Sequence, residues 1–135
     1  MLKLFISASL SILFSLNVQS QVQFFKGSLE EVKKEAKKQK KNIFVDCYTV
    51  WCGPCKMLDK NVFSNIEFAN ALQKDYIPYK LDMELGEGIP FSEAYNINRF
   101  PTMLVIDANG KEIQRLVGYR DASTLISEIK IQKKK

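Results

Sequence analysis

The chain has 135 residues, 20 of them Lys or Arg against 15 Asp or Glu, a formal charge of +5, and 46% are hydrophobic. That is the size of one domain with a removable leader, with enough apolar mass for a core that needs no disulfide staples. Histidine is absent and there are three cysteines, which excludes imidazole acid–base catalysis, Cys–His nucleophile pairs and a disulfide scaffold.

The first twenty residues read as a targeting segment and not as part of the fold. Lys3 gives a basic start, and Leu4 to Leu16 is an apolar run of thirteen residues broken only by serines. Asn17-Val18-Gln19-Ser20 then supplies small residues suited to cleavage after Ser20. A membrane-spanning helix needs ~20 apolar residues. A secretory signal over 1–20 and a single domain over 21–135 are therefore expected, in preference to an uncleaved anchor. No cysteine stands near the cleavage point, so a lipid-modified N-terminus is not expected.

Ser28-Leu29-Glu30-Glu31 is a capping box, and Leu29, Val32 and Ala36 recur at helical spacing, predicting an amphipathic helix over 28–40. Its lysines (33, 34, 37, 38, 40 and 41) and the tail Lys133–Lys135 hold much of the basic excess. A solvated helix face and tail account for them, with attraction to an anionic membrane or acidic partner as the alternative. Aromatic residues are not interleaved among them, so no nucleic-acid groove is expected. Asn42 to Tyr48 is a nearly continuous apolar run, as in a central strand covered on both sides.

Trp51-Cys52-Gly53-Pro54-Cys55 follows that strand and opens a helix through about Lys60. Ser64-Asn65-Ile66-Glu67 reads as a second capping box for a helix to about Gln73. A strand over Tyr76–Leu81, an acidic loop over Asp82–Gly88 and a short helix over Phe91–Tyr95 come next. Thr102–Ile106 is a strand, Asp107-Ala108-Asn109-Gly110 a turn with an Asn-Gly hairpin signal, and Lys111–Val117 its antiparallel partner. Asp121 caps a last helix with Leu125, Ile126 and Ile129 toward the core. The order α-β-α-α-β-α-β-β-α indicates an α/β fold, a mixed sheet with helices on both faces.

Two thiols separated by two residues close a small disulfide or present one reactive thiolate. Gly53 and Pro54 favour a tight turn into a helix, with Pro54 in the first turn where its missing N–H is not needed. Cys52 then sits at the helix N-terminus, where free N–H groups and the dipole stabilise a negative sulfur and lower a thiol from ~8.5 toward ~7 or below. Residue type and spacing together indicate thiol–disulfide exchange, with Cys52 the nucleophile and Cys55 the resolving thiol. Zinc requires four ligands, and only one further cysteine is present. Asp46, inside an apolar strand, is costly unless paired or protonated. Cys47 points to the opposite face of that strand and reads as an inert buried thiol.

Over residues 28–131 the chain resembles the thioredoxin family. The resemblance rests on Val45-Asp46 six positions before Cys52, Trp51 to Lys56, Lys80-Leu81-Asp82, Phe100-Pro101-Thr102 and Val117-Gly118-Tyr119. It is similar in particular to secreted members, because the helix after the motif breaks at Asn61-Val62-Phe63-Ser64 as in the soluble reductase domain of periplasmic thiol–disulfide interchange proteins. The resemblance implies a thioredoxin fold, three layers α/β/α around a mixed sheet.

It also implies that Asp46 lies beneath the dithiol and takes the proton from Cys55, with Lys80 modulating its charge. Pro101 carries over as a cis-proline facing the disulfide, leaving the Phe100 backbone to pair with an extended substrate. Trp51, Gly53, Pro54, Gly118 and Tyr119 complete the substrate rim. The expected activity is that of a monomeric protein-disulfide reductase acting outside the cytoplasm on protein thiols, without metal or organic cofactor, recharged by a membrane-borne thiol donor. A Gly-Pro spacer is similar to that of reducing members near ~−270 mV, not of strong oxidants near ~−120 mV. The alternatives are an oxidase or isomerase of the same fold, or a non-catalytic module that binds extended peptides.

Overall fold

In the computed structural model, residues 21–131 are described. The signal expected over 1–20 and the lysine tail lie outside them.

Helix α1 (Leu29–Gln39) starts on the capping box: the Glu31 N–H donates to Ser28 Oγ, and the Ser28 N–H donates to the Glu31 carboxylate. Strand β1 (Asn42–Tyr48) follows, buried from Ile43 to Cys47. Helix α2 (Gly53–Leu58) runs on into a π-helical turn, Asp59–Phe63, before α3 (Ile66–Asp75). Strand β2 (Tyr76–Asp82), α4 (Gly88–Ala94), the hairpin β3 (Thr102–Ile106) and β4 (Glu112–Val117), and α5 (Ala122–Ile131) complete the domain.

The strands order as β2-β1-β3-β4. β1 pairs parallel with β2 and antiparallel with β3, and β3 pairs antiparallel with β4. β1 is thus central as expected, but parallel on one side only. Two cores lie on the two faces of this sheet. On one, Phe44, Met103 and Val105 pack with Leu58, Val62, Phe68, Leu72, Leu125 and Ile129 from the α2, α3 and α5 side. On the other, Ile43, Val45, Cys47, Leu104 and Ile106 pack with Val32 and Ala36 of α1 and Phe91 of α4. Alternation along β1 sorts these side chains, so Asp46 shares the face of Phe44 while Cys47 lies on the other.

Several local expectations are corrected. Ser64 does not cap α3: Asn65 does, its Oδ1 accepting from the Phe68 N–H, while the Ser64 hydroxyl donates to the Lys60 carbonyl. The helix expected to break at Asn61–Ser64 instead widens into the π turn, which lets Val62 and Phe63 both reach the core. α4 begins at Gly88, three residues before the predicted Phe91. In the β3–β4 hairpin Gly110 has φ +90° but Asn109 does not cross to positive φ, so the turn is not the two-residue form with both residues left-handed. Asp107 organises it, its Oδ1 accepting from the N–H groups of Asn109 and Lys111.

Gly88 opens α4 hard against the end of β2, where an added Cβ would lie 1.6 Å from the Asp82 carbonyl oxygen. Backbone must move to admit it, and overpacking of this kind costs about 1–3 kcal/mol. Gly88→Ala is expected to lose that much in urea denaturation. Gly53→Ala, whose Cβ would meet nothing within 4 Å, is expected to stay within about 0.5 kcal/mol of the parent.

Candidate active site

The turn between β1 and α2 carries the two cysteines of the motif, joined as a disulfide with Cα atoms 5.3 Å apart. Cys52 occupies the N-cap of α2 in an extended conformation, and its Sγ accepts from the Cys55 N–H at 3.2 Å. A sulfur at this position faces the unpaired N–H end of the helix, where negative charge is stabilised. Pro54 stands in the first turn. In the disulfide both cysteines are nearly covered, Cys52 at 3% and Cys55 at 2% exposure, so a partner reaches sulfur through a narrow opening.

The rim of that opening is apolar and partly exposed. Trp51 is 63% exposed, yet it is anchored: its Nε1–H donates to the Glu84 carboxylate at 3.0–3.1 Å, and its ring meets Phe100 edge-on at 5.8 Å. Phe100 precedes Pro101 through a cis peptide bond. The Pro101 carbonyl accepts from the Gly118 N–H at 2.8 Å, while Gly118 itself has φ +89°. The Thr102–Cys47 register of β3 with β1 brings this bond to the end of the sheet that carries the cysteine turn. Tyr119 packs instead against the core on the α2 side.

An ion cluster joins β1, β2 and the π turn that follows α2. Asp46 is fully buried, and its Oδ2 accepts from Lys80 Nζ at 2.9 Å. The pairing follows from register, since Asp46 and Lys80 are direct neighbours across β1 and β2. Lys80 also pairs with Asp59 at the start of the π turn. Asp46 Oδ1 has no hydrogen-bond partner among the described residues, which leaves it free to take a proton. Burial pushes the Asp46 carboxyl up to about 6, against the opposing pull of the Lys80 charge and its hydrogen bond. Burial works to lower Lys80, but Asp46 and Asp59 together outweigh it and hold the ammonium above its ordinary value. Cys47, on the far face of the sheet, is pushed well up by burial and by the Asp46 charge; it has no part in this cluster.

The structure thus brings the predicted Cys52, Cys55, Trp51, Phe100, Pro101 and Gly118 to one end of the sheet, and pairs Asp46 with Lys80 across β1 and β2. Sequence reasoning missed Asp59 and Glu84. Asp59 stands four residues after Cys55 on a helix, a spacing that puts both on one face. Glu84 carried no signal of its own.

A family model described as thioredoxin-like domain matches residues 29–132. The chain belongs to the thioredoxin-like family. It is 33% identical over 98 residues to the thiol:disulfide interchange protein DsbD of Pseudoalteromonas atlantica, covering 70% of this chain but only 17% of that relative. It is 37% identical over 86 residues to thioredoxin-1 of Saccharomyces cerevisiae, covering 63% of this chain and 76% of that one. Among solved structures, that of a candidate disulphide-isomerase from Bacteroides thetaiotaomicron superposes with a TM-score of 0.75 at 38% identity, over 85% of this chain and 96% of the other. The oxidised C-terminal domain of Neisseria meningitidis DsbD, with a TM-score of 0.66 at 19% identity over 76% of this chain and 90% of that one, shares the fold. This member is a thiol–disulfide oxidoreductase of the thioredoxin fold with its disulfide at Cys52–Cys55.

The raised Asp46 carboxyl makes a stability prediction. The folded protein holds this proton up to about pH 6, whereas the unfolded chain releases it near the ordinary value of 3.8. Its stabilising contribution is complete below about pH 4, falls as pH rises through about 6 and is absent above. Asp46→Asn removes the ionisation. Its stability relative to the parent, from urea denaturation, is expected to improve by about 1–3 kcal/mol between pH 4 and pH 7.5.

Proposed function

We propose that this protein reduces disulfide bonds in extracytoplasmic proteins. The observation that carries the reading is the Cys52–Cys55 disulfide at the start of α2, on the strand–helix unit whose β1 also carries the buried Asp46, one of its oxygens without a partner among the described residues. In the dithiol form, the Cys52 thiolate attacks one sulfur of a substrate disulfide. A mixed disulfide forms, and the other substrate sulfur leaves as a thiolate. Cys55 then passes its proton to Asp46 and attacks Cys52 Sγ. The mixed disulfide breaks and the second substrate sulfur departs as a thiolate, the proton remaining on Asp46. The substrate has gained two electrons, and the enzyme holds them no longer until a donor dithiol returns them.

Each neighbouring residue has a place in this scheme. Lys80 holds Asp46 in orientation and keeps its acidity near neutrality, so that it is a base at pH 7. Phe100 offers its backbone to an extended substrate strand, and Trp51, Gly53, Pro54, Gly118 and the cis-Pro101 form the surface beside it. The leader-like segment 1–20 and the similarity to interchange proteins support an extracytoplasmic site of action, and with it a membrane-borne thiol donor.

An isomerase is the second reading, favoured by the 38% identity to the candidate disulphide-isomerase. Potential separates the two. The reductase reading expects a midpoint close to ~−270 mV, whereas a value near ~−180 mV supports the isomerase.

The roles of the two sulfurs are tested by trapping. Cys55→Ser is expected to accumulate mixed disulfides with envelope proteins, and Cys52→Ser is expected to accumulate none; equal yields would refute the assignment. Asp46→Asn is expected to slow resolution of a Cys52 mixed disulfide at pH 7 by about tenfold or more, a modest share of the usual acid–base contribution.

A further inference from the structure

The residues just ahead of α1 form a strap that no part of the mechanism above uses. The Val22 N–H donates to the Phe63 carbonyl at 2.7 Å, and the Phe25 N–H to the Pro78 carbonyl at 2.8 Å. Between them the Gln23 N–H donates to the Gln73 side chain at 2.6 Å. Val22 is buried in the core on the α2 side. The strap thus ties the π turn to β2, an edge strand of the sheet, and crosses the place where the Lys80 side chain emerges.

Phe24 is the residue that this arrangement delivers. Its ring meets Phe63 edge-on at 5.2 Å. The Lys80 ammonium lies 5.4 Å from the centroid of Phe24, 5.4 Å from that of Phe63 and 4.7 Å from that of Tyr48. All three are within the range at which a ring face attracts a cation. Phe24 also stands between two surface hollows of about 370 and 420 Å³, both lined by Phe24, Lys26 and Lys80.

We propose that Phe24 is a positioning residue for the redox site: it holds the Lys80 ammonium against Asp46 and shields that ammonium from water. The inference rests on the role of Asp46 as proton acceptor. Among the described residues, Asp46 and Tyr48 from β1, Asp59 from the π turn, Lys26 from the strap, and Tyr79 and Glu87 lining the smaller hollow are the titratable groups around Lys80, with Asp82 at the end of β2 acting on Tyr48. Phe24 makes its ring contact with Lys80, whereas the cover over Asp46 comes from the sheet and the helix layer. Loss of the ring therefore loosens and screens Lys80 while Asp46 stays dry. The carboxyl loses part of its counter-charge and becomes harder to ionise.

The test follows the carboxyl carbon of Asp46 by NMR across pH in the full chain, for the parent, Phe24→Leu and Phe24→Tyr. Phe24→Leu keeps apolar bulk but has no ring face; Phe24→Tyr keeps the face. The expected result is an Asp46 midpoint about half a pH unit higher in Phe24→Leu, about a threefold fall in its ionisation constant, with Phe24→Tyr at the parental value. Identical midpoints in all three proteins would overturn the proposal, as would an equal shift in both variants, which would mark Phe24 as packing only. Failure of the proton-acceptor reading shows elsewhere, as an unchanged resolution rate in Asp46→Asn with the Phe24→Leu shift still present.

Discussion

A single ion pair, the buried Asp46 with the half-buried Lys80, is the constraint on which the proposed chemistry of this protein depends. A carboxylate with no exposed surface is tolerated only because a cation reaches it from the neighbouring strand, and that cation is itself half-buried and shared with Asp59. The pair is not a device for stability. Burial wins over the attraction of Lys80, so the carboxyl ionises two pH units above its ordinary value and the folded state loses free energy as it does so. On the proposed reading, what is obtained is a proton acceptor tuned near neutrality in a chain that has no histidine.

The fold supplies the rest by placement. Parallel pairing of β1 with β2 sets Asp46 beside Lys80, and antiparallel pairing of β1 with β3 brings the Phe100–Pro101 bond to the same end of the sheet as the cysteine turn. Alternation along β1 sends Asp46 toward the helix that bears the cysteines and Cys47 away from it. One residue of register thereby places the third thiol in the opposite core. The π turn adds Asp59 to the cluster and Phe63 to the ring collar in one step.

Much of this was legible because local chemistry and tertiary demand agree. The Ser28 capping box, the unbroken apolar run of β1 and the Gly-Pro turn each form where their residue types favour them. Where two residues compete, local reasoning fails. Ser64 and Asn65 are both good caps, and the choice is made by the π turn, whose Lys60 carbonyl takes the Ser64 hydroxyl and leaves Asn65 to cap. Asn109-Gly110 carries a hairpin signal, but the Asp107 side chain imposes a different turn. The Asp46–Lys80 pair came from resemblance, since 34 residues separate the partners and only strand register joins them. The strap that brings Phe24 to Lys80 has no periodic pattern at all; its position is fixed by bonds to residues about forty to fifty positions away.

The account makes the proton of Asp46 and the electrons of Cys52–Cys55 parts of one equilibrium. Its most direct test is the midpoint potential of the Cys52–Cys55 couple, measured from pH 5 to pH 9 in the parent and in Asp46→Asn. The account predicts that the parental curve carries an additional change of slope close to neutrality that is missing when residue 46 cannot ionise. Superimposable curves would contradict it, because the carboxyl would then be indifferent to the state of the sulfurs.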